Sequence, residues 1–477
     1  MMFHRSLAVV ALGAVLLAAP ARAGNVHYVD DDGMDGFNCA GAPFRTINDA
    51  LAISANGDEI RVCPGVYPEQ LVINQDIRLT GEAFGSRRAV IRPTALPATL
   101  PSLEGGNPVA AAILIDGSLV RITDIDIDLT DNTMTACSPV LAGVYFRNAS
   151  GSAMRTQVLN AWVPGRPDCD SGIGIFVESG VTDFVLGHPI FGRARVVVID
   201  AAFDNYQKAG LVAHGPRTVL KLRGGHAIAG APVDGAAVPN GYQVGLGARG
   251  KLVDATSSGH TTTTAGKLGA GILAWDSGKF TFRRDTITAN QVGIFVAGND
   301  ARVKRSILHD QTSDGIVLLG DSNLVSATEI DGTSVSGCFV NGDRNLLRGS
   351  FITHSPIGIW IINGIGNLFF GTNFGDVPLE SRGVYGGVRP LTELNAAPLL
   401  TSCSATSLTC DDGDPCSTDL CNLMTGTCSH GVTVCDDAIE CTTDVCDPVA
   451  GCVFTPVPDG TPCTTGTASV CTGGVCT

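Results

Sequence analysis

The sequence predicts an all-β solenoid, a right-handed parallel β-helix, followed by a small acidic module held by disulfides. Three observations lead there. Between Gly271 and Gly371 the chain repeats with a period of 22. Glycine is abundant at 59 residues and charged residues make up only 16%, so turns are frequent and long amphipathic helices few. Twelve of the 17 cysteines fall between Cys403 and Cys476, the density of a disulfide scaffold.

The first element is a leader. His4 and Arg5, an apolar run from Leu7 to Ala19 and the small-x-small sequence Ala21-Arg22-Ala23 read as a secretory signal peptide. The run is about 13 residues, too short to cross a bilayer, and no later run reaches 18 apolar residues. The expected division is therefore a signal peptide over 1–23, the solenoid over 24–398 and the cysteine-rich module over 399–477. A secreted or cell-surface protein without a transmembrane segment follows, and its cysteines suit that oxidising setting.

The open end of a solenoid exposes unpaired backbone and apolar interior, so it needs a cap. Thr46 to Ile53 supplies a short helix, with Thr46 as N-cap and Ile47, Ala50 and Leu51 on one face. Gly57 to Tyr67 then reads as the first strand and its turn.

The repeat identifies the kind of solenoid. Gly271, Gly293, Gly315 and Gly337 each open an apolar run, and Gly358 follows after 21 residues. Asn323, Asn345 and Asn367 share the period, as do Ser306, Thr328, Ser350 and Thr372. The Leu-x-x-Leu-x-Leu signature of leucine-rich repeats is absent. Short β-branched runs broken by Gly, Asn and Asp instead fit one coil of a parallel β-helix, with the Asn and Ser/Thr columns as stacked ladders. Upstream, Gly143, Gly174, Gly210 and Gly245 are expected as equivalent coil starts, and their wider spacing implies inserted loops such as Trp162 to Ser171 and Ala231 to Gly241.

The run from Pro43 through Gly81, with Thr46-Ile47, Gly57-Asp58-Glu59-Ile60-Arg61-Val62, Pro64-Gly65-Val66-Tyr67 and Leu79-Thr80-Gly81, resembles the N-terminal coil of NosD-like and pectin-methylesterase-like β-helix proteins. The segments Asp204 to Leu211 and Asn240 to Gly245 resemble bacterial exported β-helix repeat proteins. The resemblance covers most of Asn25 to Pro398 and implies the fold; activity varies widely within it. In the tail, Cys410, Cys416, Cys421 and Cys428 recur as Cys435, Cys441, Cys446 and Cys452. Their spacing favours disulfides over zinc, and the two runs resemble cysteine-rich repeats of extracellular matrix proteins.

Net charge is −15, and ten acidic residues with no Lys or Arg lie in the tail. Nucleic acid is therefore not an expected partner; an extracellular polysaccharide or matrix component is. Enzymes of this fold usually act on acidic polysaccharides, with a Lys, Arg, His or Tyr as acid and base. The segment richest in such groups gives Tyr206, Lys208, His214 and Arg223 as candidate catalytic residues for a lyase or epimerase acting on uronate polymers. Against that reading, the Asp-Pro-His-Asp run of mannuronan epimerases and the aspartate pair of pectin methylesterases are missing. In Asp124 to Leu129 the apolar residues alternate inward, leaving Asp124, Asp126 and Asp128 as candidate calcium ligands, with a solvated strand face as the plainer reading. No other cofactor is implied.

Alternation within the glycine-led strands also sends Phe295 outward, with Leu273, Val317, Phe339 and Trp360 as counterparts and Tyr145 and Phe176 in earlier coils. This stripe is a candidate sugar-stacking platform, or a surface covered by loops or another chain. Among the five upstream cysteines, Cys338 replaces Ile272, Ile294 and Ile316 of other coils and is expected as a buried free thiol. That leaves Cys39 with Cys63, and Cys137 with Cys169, as disulfide candidates.

Overall fold

The computed structural model describes residues 24–33, 39–103, 105–185, 188–230, 237–264 and 267–383 of the body, and 416–422, 427–432, 435, 439–447, 451–463 and 470–476 of the tail. The leader over 1–23 and the expected boundary near Pro398 lie outside these residues.

The body is a right-handed parallel β-helix of three sheets. The first has 13 strands, from Val26–Val29 to Leu368–Phe370; the second has 12, from Gly65–Tyr67 to Asn373–Gly375; the third has 12, from Leu71–Ile73 to Leu379–Gly383. Each coil contributes one strand to each sheet in that order, and each strand pairs in parallel with its equivalent in the next coil. The corner between the first and second sheets is a single residue in the left-handed conformation, for instance Asp124, Arg155, Asp254, Arg284, Arg305 and Ala327. Left-handed backbone is costly for a side chain, so this corner is held by the ladders on both sides of it.

The glycine column is a steric necessity. A Cβ on Gly315 would lie 2.6 Å from the carbonyl oxygen of Gly337 in the next coil and 2.4 Å from Ile330 Cγ2. The column runs Gly143, Gly174, Gly210, Gly241, Gly271, because Ala209 pairs with Asn240 and Asn240 with Ala270. Gly241, not Gly245, is thus the coil start, and the coils there are longer than the 22-residue period. Beside the glycines, the inward column Leu211, Tyr242, Ile272, Ile294, Ile316, Cys338 and Ile359 forms one wall of the core. Burying such a side chain stabilises the fold by roughly 1.5–3 kcal/mol.

The polar columns work through the backbone. Asn345 Oδ1 accepts the N–H of Asn323 at 3.0 Å, and Asn367 Oδ1 accepts that of Asn345 at 2.8 Å. Ser350 Oγ accepts the N–H of Thr328 at 3.3 Å. Each side chain satisfies a turn amide one coil away, which a buried turn requires. At the N-terminal end, Thr46 Oγ1 accepts the N–H of Asp49 at 3.1 Å, and Ile47, Ala50 and Leu51 are buried. The Glu69 carboxylate takes the N–H groups of Ile47 and Asn48 at 2.7 and 2.9 Å, completing the cap.

Cys39 is bonded to Cys63 and Cys137 to Cys169. Cys338 is a buried free thiol, its pKa pushed up to about 12 by burial. In the tail, the hairpins Ser417–Asn422 with Thr427–Val432 and Thr442–Asp447 with Gly451–Pro456 carry the repeat. Cys416 bonds Cys446, and Cys441 bonds Cys471, both over 30 residues. Cys435–Cys452 and Cys463–Cys476 complete the bridges among the described residues of the tail. The cysteine clusters Cys435, Cys446, Cys452 and Cys441, Cys463, Cys471 are thus oxidised rather than thiolate metal ligands.

Candidate binding cleft on the third sheet

The outward residues of the third sheet form one column: Tyr145, Phe176, Val212, Gln243, Leu273, Phe295, Val317, Phe339 and Trp360. Phase is as expected, but an open platform is not what these rings make. Phe295 is 2% and Trp360 9% exposed. Around Tyr145 and Phe176 the cover includes Val109, Val140, Ile173 and Leu100; around Leu273 and Phe295 it includes Leu268, Trp275 and Leu319. Outward apolar side chains pack sideways into satellite cores, since leaving a long stripe wet would expose more apolar surface than a soluble protein carries.

Where Gln243 interrupts the stripe, a cleft of about 390 Å³ opens. Its neighbours in the adjacent outward column are Glu178 and His214, paired across the strands Ile173–Glu178 and Ala209–His214. The lip is formed by residues 99–103 and 105–109, folded back by bonds from Thr99 N–H to Val109 and from Ser102 N–H to Asn107 at 2.9 and 2.8 Å. Leu103 N–H ties this loop to Glu178 Oε2 at 2.8 Å. The same carboxylate oxygen accepts the Tyr145 hydroxyl at 2.5 Å. Burial, then the Glu178 charge, pushes the Tyr145 phenol far above its usual range, so it stays a donor.

Tyr145 and Phe176 stack at 4.8 Å, and the Phe176 ring meets His214 edge-on at 5.8 Å. His214 is partly accessible from the cleft yet surrounded by protein; burial, then the Lys208 cation, lowers it from 6.5 to about 4. The imidazole is neutral at physiological pH. Lys208 Nζ pairs with Asp170 at 2.5 Å at the opposite wall. Gln243 Nε2 lies 3.2 Å from His214 Nε2, while Gln243 Oε1 is buried without a hydrogen-bond partner. Turning the amide over would leave its NH₂ facing the same space. The cleft is therefore lined by Phe176, a neutral imidazole, a carboxylate, an ammonium group and the Gln243 amide, whose unsatisfied oxygen is buried in the wall.

Of the four candidate catalytic residues, the structure brings Lys208 and His214 together here and separates the others. Tyr206 points into the core, is 2% exposed and shares a hydrogen bond with His260. Burial raises its pKa well above the ordinary phenol, so it is an interior ring and not a base open to a polymer. Arg223 ends the strand Thr218–Arg223 of the first sheet, on a different face. Glu178, Gln243, Asp170 and the lip went unnoticed in the sequence. Extending the alternation two residues beyond Phe176 would have found Glu178.

The three aspartates sit together but face arginines. Arg155 grips Asp124 with Nε at 2.8 Å and a terminal nitrogen at 2.6 Å, Arg88 reaches Asp126 at 2.8 Å, and Arg92 reaches Asp128 at 2.8 Å. The Arg155 hydrogen bond holds Asp124 below the usual carboxylate range. Guanidinium groups thus supply the charge that calcium would have supplied.

The site and fold define a parallel β-helix protein with a pocket on the outer face of one sheet. Residues 226–378 match the sequence profile of the family described as "Periplasmic copper-binding protein (NosD)". Among curated proteins, none matches the sequence. Similar solved structures include the periplasmic alginate epimerase AlgG, at 11% identity and a TM-score of 0.42 over 68% of this chain and 77% of that one. A variant of DFA-IIIase from Arthrobacter chlorophenolicus is 15% identical, with a TM-score of 0.43 over 75% of this chain and 86% of that one. Lacto-N-biosidase from Eubacterium ramulus is 13% identical, with a TM-score of 0.42 over 75% and 68%. No helix of the described residues is long and apolar enough to cross a membrane.

Proposed function

We propose that this is an exported carbohydrate-binding β-helix protein that holds a short segment of an extracellular polysaccharide in the cleft of the third sheet. The observation that carries the reading is the Gln243 amide, buried in the cleft wall with a polar atom that no protein group satisfies. An orphaned buried polar atom costs stability unless a ligand hydroxyl or water meets it. Phe176, which lines the cleft with Tyr145 stacked behind it, supports the same reading by adding an apolar patch for a sugar. The cleft's volume is at the small end for ligand pockets, which suits a few sugar rings rather than a long chain.

Neutral His214 and Lys208 in one cleft favour a second reading, in which the ammonium group neutralises a uronate carboxylate, the imidazole removes the proton on the carbon beside it, and the β-positioned glycosidic C–O bond breaks, its oxygen leaving as a hydroxyl on taking a proton from water. One experiment separates them. The full protein is run through affinity gels holding neutral or uronate polysaccharides, and the same polymers are followed by ultraviolet absorbance. Binding is expected, weakened about fivefold to tenfold by Gln243→Ala. Unsaturated products that vanish in His214→Ala would establish the lyase; retardation unchanged by Gln243→Ala would remove the cleft reading.

A further inference from the structure

A second depression, of about 760 Å³, runs along the corner between the first and second sheets, over the coils from Thr281 to Gly371. It exists because of what occupies the one-residue corner. Successive coils place Asp124, Arg155, Asp200, Gly224, Asp254, Arg284, Arg305, Ala327 and Gly349 there, each donating its N–H to the last residue of the next coil's strand. Two of the three acids in this column are matched by an arginine of the next coil: Arg155 bonds Asp124, and Arg284 bonds Asp254 with two contacts of 2.6 and 2.7 Å. After Asp254 the left-handed corner position carries no acid, and the neighbouring Asp285 is fully buried. From Ala327 onward it carries no long side chain either, which hollows the groove.

The adjoining outward column of the first sheet holds Arg283, Lys304, Ser326, Arg348 and Phe370, in direct register coil by coil. Arg283, Lys304, Arg305 and Arg348 line the groove, and none of them makes a salt bridge among the described residues. Phe370 closes one end with its ring 56% exposed. Four unpaired cations in one groove stand out on a chain whose net charge is −15.

We infer that this groove binds a linear acidic polysaccharide, lying along the solenoid axis with its acidic groups against Arg283, Lys304, Arg305 and Arg348. Each coil advances about 4.8 Å, so the four steps from Thr281 to Gly371 span about 19 Å, room for several sugar rings. An extended chain with regularly spaced charges can meet a cation on successive coils, whereas a small anion would use only one or two. The guanidinium groups suit bidentate contact with carboxylate or sulfate, and Ser326 and Thr281 offer hydroxyls between them. Phe370 is the one aromatic side chain lining the groove, so a single-stranded nucleic acid would find no series of rings on which to stack its bases.

The test uses the full protein and fluorescent polygalacturonate, dextran sulfate, unmodified dextran and a single-stranded DNA of matched charge, with binding read by anisotropy. Polygalacturonate or dextran sulfate is expected to bind and dextran is not, with affinity falling steeply as salt rises. The preferred polymer identifies carboxylate or sulfate as the natural group. Lys304→Glu with Arg348→Glu should weaken binding at least about tenfold, while Arg195→Glu on a distant coil leaves it near wild type. Circular dichroism of each variant separates lost binding from lost fold; if the double variant unfolds, Lys304→Gln with Arg348→Gln replaces it. The inference is overturned if the groove variant binds as wild type, if Arg195→Glu loses as much, or if DNA binds as tightly as either acidic polymer.

Discussion

His260 shows how a single interior residue sets a pH response. It is fully buried and linked to Tyr206 and to Asn290, whose Oδ1 lies 2.7 Å from Nδ1. Burial lowers its pKa from 6.5 to about 4, although the Asn290 bond works the other way. Between those values the unfolded chain takes up a proton that the folded chain refuses, so this residue's contribution to stability falls as pH drops from about 6.5 to about 4. The difference is on the order of 3 kcal/mol across the window. Asp285 acts oppositely: burial raises it to about 7, so its contribution falls as pH rises from the ordinary Asp value towards neutrality. Denaturant midpoints measured from pH 4 to pH 7 should therefore show a weaker acid-side loss in His260→Gln than in the wild type. A parallel slope in both proteins would show that His260 takes up its proton equally in the folded and unfolded chain. Cys338 offers a second check at this scale. Its thiol should resist alkylation in the native protein and react only after unfolding.

At the scale of strands and turns, the glycine column makes the sharpest claim. Gly315→Ala places a methyl group against a backbone carbonyl that the ladder cannot move, and overpacking of this kind costs about 1–3 kcal/mol. Thermal unfolding of the full chain should register the loss, whereas Gly349→Ala, with open space around it, should suffer only the penalty of left-handed backbone. The regular coils were legible in the sequence for the same reason: from Gly271 onward no insertion disturbs the period, and strict glycine marks every coil. Upstream the period lengthens because loops such as 160–172 enter at the corner between the second and third sheets, so the coil glycine is Gly241 where the spacing points to Gly245. Alternation told which residues of the third sheet point outward. It did not tell that neighbours would bury them, because lateral cover by Leu100 or Leu268 comes from sequence-distant segments. Tyr206 lies in a corner, where alternation does not apply, and its inward turn towards His260 left no local mark.

Taken as one body, the solenoid joins a helix-capped end, a cleft on one sheet and a basic groove on another corner. We expect the tail to be an independent unit, since its described hairpins bond to each other through Cys416–Cys446 and Cys441–Cys471. A chain ending at Pro398 should keep its β-type circular dichroism and its unfolding midpoint; cooperative loss of both would make the tail part of the solenoid. The 22-residue period has a further consequence. Because Asn323, Asn345 and Asn367 hold one another's turns at identical offsets, excising one whole period would splice the ladder without shifting any face. The molecule can then lengthen or shorten only in whole coils, and the groove with it. Its count of cationic coils is a ruler graduated in steps of about 4.8 Å, and gene duplication or deletion of a single coil would reset the length of polymer it measures.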